Sequence, residues 1–168
     1  EWVGANDRRL ALFENLFPIP RGVSYNSFLI MDEKVALMDT VDFSVTRQWL
    51  ENINHVLNGR KIDYLVVQHM EPDHCANIDE IIRRFPEVKL VANAKTVQMI
   101  KQFFDISVED RTILVKGFDE LSLGKHTLQF IMAPMVHWPE VMVTYEKSEK
   151  ILFSADGFGT FDALNGNI

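Results

Sequence analysis

The sequence predicts an α+β sandwich, with β-sheets packed on one another and helices covering the outside. Three observations carry this reading. From residue 23 to residue 104, short apolar strands alternate with amphipathic helical segments. Beyond residue 104 the character changes, and strand follows strand with little helix between. No repeat and no low-complexity linker breaks the chain, so its 168 residues are expected to share one sizeable core.

The elements follow in order. VSYNSFLIM (23–31) is rich in β-formers and reads as a strand, DEK (32–34) as a turn, and VALMDT (35–40) as a second strand, which makes a hairpin. SVTRQWLENINHVLNG (44–59) reads as a helix, because Val45, Trp49, Ile53, Val56 and Leu57 keep helical spacing. Ser44 is the expected cap and Gly59 the expected stop. DYLVVQH (63–69) is a strand apolar enough to be buried on both faces. NIDEIIRRF (77–85) is helical and stops before Pro86. VKLVAN (88–93) is a strand and KTVQMIKQFF (95–104) a helix. RTILVK, LSLGKHTLQFIMAP, VMVTYE and KILFSAD then read as successive strands. In such sandwiches, ligand groups lie in loops at strand ends.

Composition narrows the function classes. The hydrophobic share of 47% and charged share of 24% fit a water-soluble globular chain. The apolar runs are too short to span a bilayer, and no signal-peptide pattern is present. A single cysteine leaves no intrachain disulfide framework and points to a reducing, cytoplasmic setting. A net charge of −7 with no basic block argues against nucleic-acid and membrane partners.

The segment VVQHMEPDHCAN (66–77) holds the densest chemistry. An apolar strand ends, and His69, Glu71, Asp73 and His74 follow within six residues. In an extended chain, residues 69, 71 and 73 point to one side. Pro72 cannot donate a ladder hydrogen bond, so pairing fails there and the chain can turn to bring His74 in from another direction. Two imidazoles and two carboxylates crowded together call for a counter-charge, which a metal ion supplies. The structural alternative is a polar solvated loop. His137, in a loop followed by a proline, and Asp156, at the end of an apolar strand, repeat the arrangement of a ligand-type residue at a strand end. Each also has a plain reading: a hydrogen-bonded loop histidine, and an Asx-turn before Gly157.

Taken together, H-x-E-x-D-H, the lone His of HWPE and the Asp of FSADGFG resemble the lactamase-like domain of the flavodiiron proteins, within the metallo-β-lactamase superfamily. WVGANDRRLALFENLFPIPRGVSYNSFLI resembles the start of that domain and VALMDTV its second strand, so the likeness covers nearly the whole chain. The resemblance implies a metallo-β-lactamase-like αβ/βα sandwich over residues 1–168. It implies a first iron on His69, Glu71 and His137, a second on Asp73 and His74, and Asp156 bridging them. It further implies reduction of dioxygen to water or of nitric oxide to nitrous oxide. A redox donor feeds FMN, and in a head-to-tail homodimer that FMN faces the partner's non-haem diiron site.

The departures are at the end. The resemblance implies one further His on the second iron, and the sequence has no His after His137. It also implies a flavodoxin-like FMN domain that residues 1–168 do not contain. The sandwich is therefore expected to be incomplete at its C-terminus and the isolated chain to be inactive. Glu71 stands where the superfamily's metallo-hydrolases have His, and carboxylate ligands suit iron better than zinc. The rivals are a dizinc hydrolase using a metal-bound hydroxide and a non-catalytic fragment serving as a binding or dimerisation module. Cys75 is expected as a small buried hydrophobe, His55 and His126 as structural or exposed, Trp138 as core, and Tyr25 and Asn26 as packing and capping residues of the hairpin.

Overall fold

A computed structural model of the chain describes residues 1–164. Its frame is a sheet of five strands: β5 (Phe28–Met31), β6 (Val35–Met38), β7 (Tyr64–Val66), β8 (Lys89–Ala92) and β9 (Thr112–Leu114), in that spatial order. The hairpin β5–β6 is antiparallel, as expected, and β6 to β9 run parallel. Parallel neighbours need crossovers, supplied by α1 (Thr46–Leu57), by α2 (Pro72–Cys75) with α3 (Ile78–Arg84), and by α4 (Ala94–Phe104). A second sheet is a four-stranded antiparallel meander of β10 (Glu120–Ser122), β11 (Thr127–Met132), β12 (Met142–Glu146) and β13 (Ile151–Phe153). Two small ribbons stand apart, β1 (Ala5–Asp7) with β4 (Val23–Tyr25) and β2 (Leu12–Phe13) with β3 (Phe17–Pro18).

Alternation along the strands explains the layers. Leu29, Leu37, Leu65 and Leu90 face the helices, where they pack with Trp49, Ile53, Ile78, Ile81 and Ile100. Their neighbours Ile30, Met38, Val66 and Val91 face the second sheet, where they meet Leu123, Leu128, Phe130 and Met142. The central strands are apolar on both faces because both faces are covered. On the far side of the second sheet, Gln129, Ile131 and Tyr145 are half-buried and Leu152 is exposed; among the described residues no helix covers that face. Phe130 lies fully buried between the sheets. Phe130→Ala is expected to lower the unfolding free energy by about 3–5 kcal/mol in urea titrations. A loss under about 1 kcal/mol would show that this layer is not close-packed.

Local details differ from the sequence expectation. VSYNSFLIM is not one strand: β4 belongs to a ribbon and β5 to the main sheet, with regular pairing interrupted at Asn26–Ser27. There the Ser27 hydroxyl donates to the Asp39 carbonyl and its carbonyl accepts from Val3 N–H. Ser44 does not cap α1. It sits inside a 3-10 turn over Phe43–Val45, whose cap is Asp42, accepting from Ser44 N–H at 2.8 Å. Asn58 in the left-handed region, followed by Gly59, ends α1. The strand expected over 63–69 pairs regularly only as far as Val66, which frees the next residues for the site.

Candidate metal centre

The parallel strands bring their C-terminal ends to one edge of the sheet, and each delivers polar residues there: Asp39 after β6, Gln68 and His69 after β7, Asn93 after β8. Ligand sites in such sheets open at this edge. After β7 the chain stays extended to Glu71, so His69 and Glu71 reach the same place, with His69 Nε2 3.1 Å from Glu71 Oε2. Pro72 then does more than end pairing. It occupies the first position of the one-turn helix α2, where a missing N–H costs nothing. The helical twist rotates Asp73 and His74 away from the pair before them, so Asp73 does not share the face of His69 and Glu71. The His74 carbonyl is anchored by both the N–H and the hydroxyl of Thr40, at 2.7 and 2.8 Å.

The second sheet supplies the rest. His137, on the loop between β11 and β12, places Nε2 2.9 Å from Glu71 Oε2. Asp156 follows β13 and divides its oxygens: Oδ2 lies 3.1 Å from His137 Nε2 and 3.3 Å from His69 Nε2, while Oδ1 lies 2.7 Å from His74 Nε2. The Asp156 carboxyl therefore reaches three imidazoles, and the turn around it is closed by Ser154, which accepts from Gly157 N–H. Two groups of potential ligand atoms result, each within 4.8 Å: His69, Glu71, His137 and Asp156; and Asp73, His74 and Asp156. All six residues singled out from the sequence meet here, with Asp156 in both groups.

Electrostatics say what the pocket wants. Burial works against charge on His69, but hydrogen bonds to Asp156, Glu140 and Glu71 outweigh it and push the imidazole up to about 11. His74 is likewise desolvated, yet Asp156 and Asp39 push it up to about 10. Asp156 is itself held far below the usual carboxylate range, since His69 and His74 overcome the effect of burial. Glu71 is lowered chiefly by its hydrogen bond to His69, whereas desolvation pushes Asp73 up to about 6. The carboxylates outnumber the imidazoles, so protons on the rings provide positive charge that a metal ion would otherwise bring. Asp73 Oδ1 and His74 Nδ1 are buried without hydrogen-bond partners. Bare oxygen, clustered imidazoles and surplus negative charge fit a pair of divalent cations.

Two carboxylates beside the imidazoles escaped the sequence reading. Glu140, fully buried, brings Oε1 to 2.8 Å from His69 Nδ1. Asp39 accepts from Gln68 N–H and Nε2 and lies 3.7 Å from His74 Nδ1. Asp39 ends an apolar strand just as His69 and Asp156 do, so the same rule could have found it; Glu140 gave no comparable signal. The remaining expectations divide. Cys75 is buried, its thiol is pushed up by desolvation, and Sγ contacts the Met70 carbonyl. His55 is exposed on α1, and His126 is half-buried near Glu146. Trp138 is half-buried against the helical core and sits edge-on to His69, with ring centroids 5.4 Å apart. Tyr25 is buried in the core, while Asn26 accepts from the Trp2 indole.

Comparison with known proteins agrees with this fold. The chain is 35% identical to a nitric oxide reductase of Moorella thermoacetica over 94% of this chain and 40% of that protein. It superposes on the rubredoxin oxygen:oxidoreductase of Desulfovibrio gigas with a TM-score of 0.91 and 35% identity, covering 97% of this chain and 40% of that one. The flavodiiron protein of Giardia intestinalis matches with a TM-score of 0.90 and 33% identity, over 98% of this chain and 40% of that one. The chain thus spans about two fifths of the length of these relatives. The family model described as ODP family beta lactamase matches residues 23–167, and the chain belongs to that family.

Proposed function

We propose that this chain is the diiron-binding part of a flavodiiron oxidoreductase that reduces dioxygen to water, nitric oxide to nitrous oxide, or both. One observation carries the reading: two ligand groups share Asp156, and the first includes a carboxylate, Glu71, beside two imidazoles. His69, Glu71, His137 and Asp156 would hold the first iron, and Asp73, His74 and Asp156 the second. The irons, when bound, supply the point of substrate binding and the electrons for its reduction. Dioxygen takes four electrons and four protons to give two waters; two nitric oxides take two electrons and two protons to give nitrous oxide and one water. We assign those electrons to FMN in a flavodoxin-like domain outside residues 1–168, fed by a redox donor, in a head-to-tail homodimer and a cytoplasmic setting. No helix among the described residues is long and apolar enough to cross a membrane.

The chain's own residues shape the pocket for a small substrate. His69 and His74 form a buried floor, and Trp138 closes it against His69. His137 is 56% exposed and Asp156 39% exposed, so the pocket opens on their side. Met135 and Val136, next to His137 in the chain, and Phe158, near Asp156, are exposed, and Glu14 reaches the same place, its carboxyl pushed up by burial and by Glu71. Glu71 is the feature that separates this reading from the dizinc hydrolase. Protein prepared without oxygen should hold iron, and the isolated chain should consume dioxygen or nitric oxide only when a reduced flavoprotein is added. Steady turnover without any flavoprotein, or zinc occupancy with thioester hydrolysis, would overturn this assignment.

A further inference from the structure

We propose that Glu140 is a positioning residue that fixes the ring of His69, an inference that rests on the metal-binding reading above. His69 is fully buried, and its two ring nitrogens have different surroundings. Nε2 faces Glu71 and Asp156 at 3.1 and 3.3 Å, and Nδ1 faces Glu140 Oε1 at 2.8 Å. That Glu140 oxygen also accepts from Met70 N–H at 2.8 Å. One carboxylate oxygen thus binds the ring and the backbone of the next residue, and the imidazole cannot swing without breaking this bond. Because the carboxylate accepts, Nδ1 keeps its hydrogen, and Nε2 is the nitrogen left to face a metal once the ring gives up its other proton.

Glu140 is in turn held from behind. Its carbonyl accepts from Asn93 Nδ2 at 2.7 Å, and the Asn93 carbonyl oxygen of the side chain caps α4 by accepting from Lys95 and Thr96 N–H. The ring of His69 is therefore referenced to the five-stranded sheet on one side and to the HWPE loop on the other. Glu140 Oε2 is buried with no hydrogen-bond partner. A buried carboxylate with one bare oxygen is costly in a role that an amide or an apolar residue could fill as well. The charge has a use if the imidazole beside it must bind a cation, since a carboxylate behind the ring raises its basicity toward the metal. The second buried imidazole is served less directly. Asp39 lies 3.7 Å from His74 Nδ1 and spends its hydrogen bonds on Gln68, so His74 Nδ1 has no hydrogen-bond partner.

The test is a cobalt(II) titration of the full chain, followed by its visible absorption and by competition with a chelator. Glu140→Gln keeps the shape and can still accept from His69 and Met70, but lacks the charge. It is expected to weaken the tighter metal step, that of the four-ligand group holding His69, by about tenfold and to shift the cobalt absorption, with the step at the three-ligand group unchanged. Glu140→Ala should weaken the tighter step by up to about 100-fold, and Glu140→Asp should recover part of that loss. An unchanged tighter step in Glu140→Gln overturns the role of Glu140, as does an equal loss at both steps with a lowered melting temperature. If the wild-type chain takes up no cobalt, the metal-binding reading fails first, and this inference with it. If Glu140→Ala does not fold, Glu140→Gln alone decides.

Discussion

Asp156→Ala is expected to abolish tight binding of both metals while leaving the metal-free chain able to fold. The carboxyl is the one group common to the two ligand sets, with Oδ2 toward His69 and His137 and Oδ1 toward His74. Substitutions behind a ligand already cost 10- to 100-fold in metal affinity, so loss of a shared ligand should cost more than about 100-fold at each position. The backbone of the turn has little to lose, although the metal-free chain gives up the contacts of Asp156 with His69, His74 and His137. The turn is held by backbone, Gly157 N–H to the Ser154 carbonyl and Gly159 N–H to the Asp156 carbonyl, and by the Ser154 hydroxyl on the Gly157 carbonyl. With chelator present, the variant should therefore still fold, but melt below the wild type, because His69 and His74 lose a charge partner. With iron present, only the wild type should gain stability, because a ligand that binds the folded state alone raises stability by mass action. Iron-dependent stabilisation of the variant equal to that of the wild type would dismiss Asp156 as a bridge. Asp156→Asn should behave like Asp156→Ala in iron binding, since a neutral amide cannot balance two cations.

How far the sequence shows this site can be traced residue by residue. His69, Glu71, Asp73, His74, His137 and Asp156 were legible because donors at the ends of apolar strands have few structural uses, and here several coincide. Their partition was less so. Asp73 and His74 face a different group from His69 and Glu71 because Pro72 opens a helical turn; the turn that brings His74 in is legible at the proline, but the rotation of Asp73 off the face of residues 69 and 71 is not. Asp39 carries the strand-end signal too, but its bonds to Gln68 and its place behind His74 come from strand and loop docking that periodicity does not record. Glu140 lies 71 residues from His69 in the chain. Only the docking of the HWPE loop on the strand ends brings the two together, and periodicity holds no record of that. The small ribbons were missed for a related reason. β2 and β3 are two residues each, too short for alternation to register. β4 and β5 run together in the sequence because the residues between them, Asn26 and Ser27, are polar but are no turn pair. Their break comes from hydrogen bonds to Asp39 and Val3, which are distant in the chain.

Glu71→His is expected to change which metal the first group retains. Glu71 Oε2 lies 3.1 Å from His69 Nε2 and 2.9 Å from His137 Nε2, so the carboxylate sits between the two rings that would share its metal. A third imidazole there would give a neutral, nitrogen-rich set completed by Asp156 alone. Such a set suits zinc, which has no redox cycle to support, whereas iron moving between ferrous and ferric states gains from anionic oxygen. The charge argument points the same way. The carboxylates around the pocket already favour positive charge on His69 and His74, and losing one of them lowers the pull on a trivalent ion more than on a divalent one. The variant should thus shift the iron-to-zinc ratio toward zinc by about tenfold, the scale on which ligand surroundings alter affinity, and should hold ferric iron least well. The measurement is metal content after equilibration with iron and zinc together, under reducing and then oxidising conditions. Availability can override preference when one metal is in excess, so both must be offered at equal free concentration. Equal ratios in variant and wild type would mean that Glu71 does not set the metal. The dizinc hydrolase would then regain its standing, because the carboxylate at this position is what separates the two chemistries.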